Sequence, residues 1–468
     1  MSYDNKDEIQ IESEFNELNI SDSNSNGNHE NCYKPNDGKL WCKECVPRYM
    51  IEGWTSGNNG IDEFIKDTIY DAKIGYDDYD DDDDDNDDSD GDDYPIFLEW
   101  VPFDKFEDIK QIGEGGFSKV YSAIWIDGKA KYIKQNDGSW KKKEPEPKKI
   151  ALKKLNESQN ISADYLNEIK IFWNFYLNET SDVYLNFYGI TKDTKTKEFM
   201  MIIELANQGN LRSVLSNDFN NIFWNEKLSI LSNMIFDLKG LHKLGYFHKD
   251  LHSGNVLQDN EHNEHSYISD FGLSRPSNEP RSYDKIYGVL PYIAPEVLNG
   301  EPYTLSSDIY SFGVIMTELS SGKPPFHNRK HDISLVLEIC NGIRPEFGKG
   351  TPEIYKKLAY RCMSAIPNQR PTASELCDIL DFWNYTFEDE YQEEEKFGYK
   401  GKEIKTVFDE ANKEIPKIST TYEKNPDAIY TSRLFTFNNL PKPINSSIIT
   451  SYLDDEDNKG IMLELLLL

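Results

Sequence analysis

HKDLHSGN, residues 248–255, packs one carboxylate, two imidazoles, an ammonium, a glycine and an amide into a single span between apolar runs. Polar residues that dense have something to bind, and the flanking segments indicate what. Downstream, "YISDFGLS" (Tyr267–Ser274) places Asp270 at the end of an apolar strand-like run, where its oxygens suit a divalent cation. Then comes "APE" at Ala294–Glu296. Upstream, "KIALKKL" alternates so that Ala151 and Lys153 share one strand face, a small residue beside a cation, as a flat base with a charged tail requires. "SADYLNEIKIFWNFY" reads as a helix with Ser162 as N-cap, carrying Glu168 as a candidate ion-pair partner for Lys153. Farther upstream, in "IGEGGFSKVYSAIW" (Ile112–Trp125), strand-like runs flank a glycine turn whose missing Cβ atoms let backbone N–H groups approach a phosphate.

Each segment alone has a plain alternative: a hairpin turn, a half-exposed strand, a surface glutamate. Their types and order together resemble the protein kinase signature set, from about Phe106 to Trp383. Within that family, "LPYIAPEVL" and "DIYSFGVIMTEL" look most like the tyrosine-kinase-like group, whose members mostly phosphorylate serine and threonine. The resemblance implies an α+β, two-lobed protein kinase fold: an antiparallel β-rich N-lobe with one regulatory helix, then a mainly α-helical C-lobe. It implies that Ile112, Gly113, Gly115, Val120 and Ala151 line a nucleotide site, with Phe117 at the loop tip, Ile203 as gatekeeper and Glu204 to Ala206 as the hinge. Lys153 would hold the α/β-phosphates and pair with Glu168, Asp250 would accept the substrate hydroxyl proton, and Asn255 and Asp270 would hold Mg²⁺. Glu296 and Arg370 would form a buried pair, and Asp308 would brace the catalytic loop. The implied activity is transfer of the γ-phosphoryl group of Mg-ATP to protein hydroxyls; the alternative is a pseudokinase scaffold that binds nucleotide and partners without efficient turnover.

The chain departs from the family pattern in several places. Ser118 stands for the third loop glycine, and Lys249 for the Arg of most relatives, a point charge without a bidentate fork for an activation-loop phosphate. His252 and Val289 replace the Lys and Thr usual in serine/threonine kinases. The loop hydroxyls of Ser277, Ser282, Tyr283 and Tyr287 read as ordinary exposed residues before they read as phosphorylation sites.

With 83 acidic against 51 basic residues the net charge is -32, which argues against nucleic acid and anionic membrane as partners of the whole chain. The stretch "MSYDNKDEIQIESEF" has no signal-peptide pattern and no run reaches a membrane span, so the expected location is cytoplasmic. Residues 1–28 read as disordered, 29–50 as a small zinc-binding module, 51–93 as a short helix and poly-Asp spacer, and 94–105 as an aromatic lead-in. The catalytic domain is expected over 106–383 and a mostly disordered acidic, polar tail over 384–468. His29, Cys32, Cys42 and Cys45, spaced H-x2-C-x9-C-x2-C, suit tetrahedral Zn²⁺; the plain reading is unrelated thiols and a histidine. Cys340, Cys362 and Cys377 read as buried small apolar residues. The N-terminal module and the acidic segments are candidate docking elements; the basic stretch 131–149 reads as a solvated loop.

Overall fold

The computed structural model describes residues 48–75, 94–115, 118–134, 140–155, 163–178, 185–260, 265–277, 285–437 and 439–459. The four candidate zinc ligands, the poly-Asp run, Phe117, Ser162, Ser282 and Tyr283 lie outside them. The chain divides into two compact units: 1–112 with 120–160 and 188–203, and 113–119 with 161–187 and 204–468.

After a single helical turn at Arg48–Ile51, the first unit forms α1 (Asn59–Tyr70), capped by the Asn58 side chain accepting from Ile61 N, and its apolar residues at intervals of four, Ile61, Ile65 and Ile69, are all buried. β1 (Lys73–Gly75) pairs antiparallel with β2 (Tyr94–Ile96). A six-stranded sheet follows, formed by β3 (Glu99–Trp100), β4 (Phe106–Glu114), β5 (Ser118–Trp125), then, after a separate antiparallel pair β6 (Tyr132–Lys134) and β7 (Trp140–Lys142), β8 (Lys148–Leu155), β9 (Phe187–Lys192) and β10 (Phe199–Glu204). Its order is β3-β9-β10-β8-β5-β4, and Phe106, Trp125, Ile150, Leu152, Met200 and Ile202 form its core. The β6–β7 pair falls within the stretch read as a loop.

Two details differ from an antiparallel lobe preceded by a separate lead-in. The lead-in supplies the edge strand β3, and β3 runs parallel to β9, with Glu99 opposite Gly189 and Trp100 opposite Ile190. Gly189 permits the approach, since a Cβ there would lie 2.2 Å from the Glu99 carbonyl oxygen.

The second unit is mostly helical, with short strands β11 (Gly209–Asn210), β12 (Tyr246–Phe247), β13 (Val256–Gln258), β14 (Ser266–Ile268), β15 (Arg275–Pro276), β16 (Ile286–Gly288), β17 (Glu395–Lys396), β18 (Tyr399–Lys400) and β19 (Arg433–Phe435). Its principal helices are α2 (Ala163–Asn178), α3 (Leu211–Asp218), α4 (Trp224–Lys243), α5 (Leu305–Ser321), α6 (Glu353–Cys362) and α7 (Ala373–Tyr385), with α4 packed on α7 and α6 on α5. α5 buries nearly its whole surface, its polar residues Asp308, Ser311, Thr317 and Glu318 included. Cys340, Cys362 and Cys377 are buried and outside any disulfide.

The expectation of a disordered tail beyond residue 383 is corrected by the structure. α8 (Gly401–Asn412) lays Ile404, Phe408 and Ala411 against α4, with the Phe408 ring 5.4 Å from Trp224 and 5.7 Å from Trp383. α9 (Ser447–Lys459) packs on α6. Sparse apolar residues at helical spacing suffice because the helices they meet already present aromatic faces.

α4 also holds Lys227, fully buried, its ammonium without a hydrogen-bond partner and lying 4.0 Å from the Phe219 ring centroid. Burial pushes its pKa down to about 7. Between pH 7 and the ordinary lysine value the unfolded chain holds a proton that the folded one has lost, so folding stability rises with pH across that window and the penalty is complete below it. A displacement of that size is worth several kcal/mol, part of which the aromatic faces return, so Lys227→Met is expected to stabilise the protein by about 2 kcal/mol at pH 7 and by less at pH 10. Urea midpoints at the two pH values check this; equal gains at both would contradict a buried ammonium.

Among the described residues no helix is long and apolar enough to cross a membrane.

Candidate active site

The stretch His248–Asn255 forms a loop whose backbone is held from α5. The Asp308 carboxylate accepts from His248 N at 2.8 Å and from Lys249 N at 3.0 Å, and lies 3.0 Å from His242 Nε2. Two charge-assisted bonds to consecutive amides fix Lys249 at φ 73°, a left-handed conformation that a non-glycine residue keeps only when its surroundings impose it. The Lys249 ammonium lies 4.9 Å from the Tyr303 ring centroid.

This bracing orients Asp250. Its carboxyl is buried, one oxygen accepts from the Ser432 hydroxyl, and the other has no hydrogen-bond partner. Burial pushes its pKa up to about 7. Asn255 donates through Nδ2 to the Asp250 carbonyl at 3.0 Å, which leaves its amide oxygen as the atom available to a cation. β13 (Val256–Gln258) and β14 (Ser266–Ile268) pair antiparallel and carry the chain on to Asp270. Ser269 N donates to Asn255 O at 2.8 Å, tying the two segments together.

Asp270 is itself left-handed at φ 68°. After it, Phe271 is buried, its ring 5.5 Å from those of Phe172 and Phe175 on α2 and from His248. Those contacts hold the Asp270 segment against α2. Glu168, also on α2, is buried, and a Cβ on Gly272 would lie 3.2 Å from its Oε2 and 3.4 Å from Asp270 Oδ1. The second unit thus gathers Asp250, Asn255, Asp270 and Glu168, the last coming from a helix some 80 positions before the loop.

His252 is buried 3.8 Å from Asp250 Oδ2. Its Nδ1 accepts from Gly254 N at 3.0 Å, so the ring proton sits on Nε2, toward Asp250. Burial, then the Arg212 and His248 charges, push its pKa well below the usual range and the ring is neutral. The Glu296–Arg370 pair is closed and bidentate, at 2.7 and 2.6 Å.

In the first unit Ala151 and Lys153 are buried in β8, Ile203 is buried near the end of β10, Val120 is half-buried in β5 and Ile112 is exposed on β4. Gly113 and Gly115 belong to the second unit, Gly115 N donating to Ser118 O at 2.8 Å to close the turn. Glu204 and Ala206 are buried there, and Glu204 accepts from the Asn186 backbone and side-chain nitrogens at 3.2 and 2.9 Å.

Sequence reasoning missed two sets of residues. Below the loop, Arg212 donates to Ser253 Oγ at 3.1 Å and to Tyr292 OH at 3.3 Å and lies 3.7 Å from buried Glu318. The other set is β19 (Arg433–Phe435), which pairs antiparallel with β16 (Ile286–Gly288) and brings Ser432 to Asp250. Neither motif spacing nor hydrophobic period marks "TSRLF" in the sequence.

A family model described as protein tyrosine and serine/threonine kinase matches residues 106–380, more than half the chain. Two relatives from Dictyostelium discoideum, each named a probable LIM domain-containing serine/threonine-protein kinase, are 32% identical over 197 residues, 42% of this chain and 20% and 30% of theirs. A third from the same organism, named a probable serine/threonine-protein kinase, is 25% identical over 272 residues, 58% of this chain and 15% of its own. The chain therefore spans between 15% and 30% of the length of these relatives. With the ordered motifs, the braced loop and the match over 106–380 in agreement, the chain belongs to the protein tyrosine and serine/threonine kinase family.

Proposed function

We propose that the chain is an ATP-dependent protein kinase that transfers the γ-phosphoryl group of Mg-ATP to serine or threonine hydroxyls in proteins. The observation that carries this reading is the buried Asp250 carboxyl accepting a hydrogen bond from an alcohol while its other oxygen is left without a partner. The serine/threonine preference is supported by the names of the relatives.

The donor set fits the expected cation: a carboxylate at Asp270 and an amide oxygen at Asn255 are hard oxygen ligands of the kind Mg²⁺ takes. When bound, Mg²⁺ would neutralise charge on the phosphate oxygens. Asp250 would orient the acceptor hydroxyl and take its proton, and Asp308 would hold that carboxyl in place through the loop backbone. The neutral His252, Nε2–H toward Asp250, would offer one hydrogen bond where relatives carry a lysine charge. Lys153 would pair with Glu168 and hold the α/β-phosphates, and Gly113, Gly115, Ile112, Val120, Ala151, Ile203, Glu204 and Ala206 would surround the nucleotide; these roles rest on motif order.

Incubation with labelled Mg-ATP and a generic protein acceptor, followed by phospho-amino-acid analysis, tests the reading. Phosphoserine and phosphothreonine are expected, label on tyrosine alone would reverse the acceptor preference, and no label would overturn the activity. Separately, we propose that His29, Cys32, Cys42 and Cys45 bind one Zn²⁺ and shape a docking module. Metal analysis of the purified chain is expected to find one equivalent, lost on Cys42→Ser.

A further inference from the structure

The segment around residues 425–435 is held by the rest of the second unit as a separate peptide would be. Asn425 N donates to His327 O at 2.9 Å, His331 N donates to Asp427 O at 3.1 Å, and the Ala428 side chain is buried. Arg212 Nη1 donates to Tyr430 O at 3.1 Å, and Tyr430 OH donates to Pro325 O at 2.9 Å. Arg433 Nη2 then donates to His331 O at 2.8 Å.

Beyond these anchors the chain extends as β19 along β16, with Gly288 opposite Arg433, Tyr287 opposite Leu434 and Ile286 opposite Phe435. Strand addition of this kind is a general mode of peptide recognition: the backbone ladder supplies affinity while alternate side chains face outward, as Leu434 does here. The register ends beside the reacting carboxyl. A Cβ on Gly288 would lie 3.4 Å from Asp250 Oδ1, so this glycine, at φ 136°, lets the paired strand run close to the loop. Ser432, one residue before β19, then sets its hydroxyl on Asp250 Oδ2. A packing role for the tail needs no alcohol at that atom, and an acceptor needs it there.

We propose that residues 425–435 are the chain's own acceptor peptide, docked in cis, and that Ser432 is phosphorylated by the same molecule. This rests on the kinase reading above. Ser432 Oγ forms a bond to the γ-phosphorus of ATP, the bond from that phosphorus to its bridging oxygen breaks, ADP leaves with the electron pair, and the Oγ proton passes to Asp250. Once Asp250 has released that proton to solvent, the product is a phosphoserine dianion beside its carboxylate. Repulsion between them weakens the β16–β19 pairing and opens the strand edge to other protein acceptors. Before that event the tail competes with them.

The full-length chain, free of nucleotide, is mixed with Mg-ATP at a series of protein concentrations, with casein as external acceptor, and phosphate is located by fragment mass spectrometry. Phosphate on Ser432 is expected at a fractional rate independent of protein concentration, preceding the phase of rapid casein labelling. Amide exchange supplies a reading that needs no turnover: Ile286–Gly288 are expected to exchange about tenfold faster after phosphorylation, and equally fast in nucleotide-free Leu434→Pro, since proline breaks the added strand. Casein labelled with Ser432 unmodified overturns the inference and leaves the kinase reading standing. A Ser432 rate that rises with protein concentration overturns the cis assignment, and no transfer to either acceptor removes both readings.

Discussion

Asp250→Asn is expected to abolish the proposed phosphoryl transfer, a loss of about 10³-fold or more, while the thermal midpoint is expected to stay the same or rise. The two halves of this result have one cause. The carboxyl is buried, with an oxygen that finds no partner, so the folded protein carries an uncompensated polar group at the point of chemistry. An amide of the same shape can still meet the Ser432 hydroxyl but cannot take its proton. Rate is lost and no packing is lost with it. A variant that transfers phosphate to casein as fast as the parent would remove Asp250 from the chemistry; a variant that loses rate and melts well below the parent would point to a structural role. Circular dichroism melts beside labelled-ATP assays separate the cases.

Breaking the Glu296–Arg370 pair carries the largest expected effect on stability. Arg370 is fully buried, bonds both Glu296 oxygens, and also donates to the Ser364 and Ser306 carbonyls at 2.8 Å. Removing either partner strands the other charge away from water. Arg370→Met and Glu296→Gln are each expected to cost about 3–5 kcal/mol in urea unfolding. Glu296→Met combined with Arg370→Met is expected to recover most of that loss, because two apolar chains of similar volume leave no charge behind. Single variants that cost less than about 1 kcal/mol would mean that the pair is hydrated in solution. Glu296 is the second residue of the short helix Pro295–Leu298 that follows β16, so the single variants should also loosen the strand that β19 pairs with.

The loop and its surroundings were legible because their residues are bunched. Asp250, Asn255 and His252 stand within one turn of chain, and Asp270 follows an apolar strand, so chemistry can be read from spacing. Asp308 and the Glu296–Arg370 pair were legible only through resemblance, since 60 and 74 positions separate the partners and no local pattern joins them. The tail was misjudged for a physical reason. Its composition is polar and charged, and Ile404, Phe408 and Ala411 form a stripe too narrow to stand out, although their spacing was visible in "GKEIKTVFDEAN". Ser432 carried no signal at all, because its meaning lies in a strand register, and register is set by tertiary packing.

The helix that follows residue 400 puts the border of the family resemblance and the border of the hydrophobic interior in different places. The match ends at 380, yet Trp224, inside it, is covered by Phe408, outside it. Pieces excised at the homology limit would expose the face of the Trp224 indole that Phe408 covers and tend to clump, so a weak or erratic fragment would say more about where the scissors fell than about the catalytic domain.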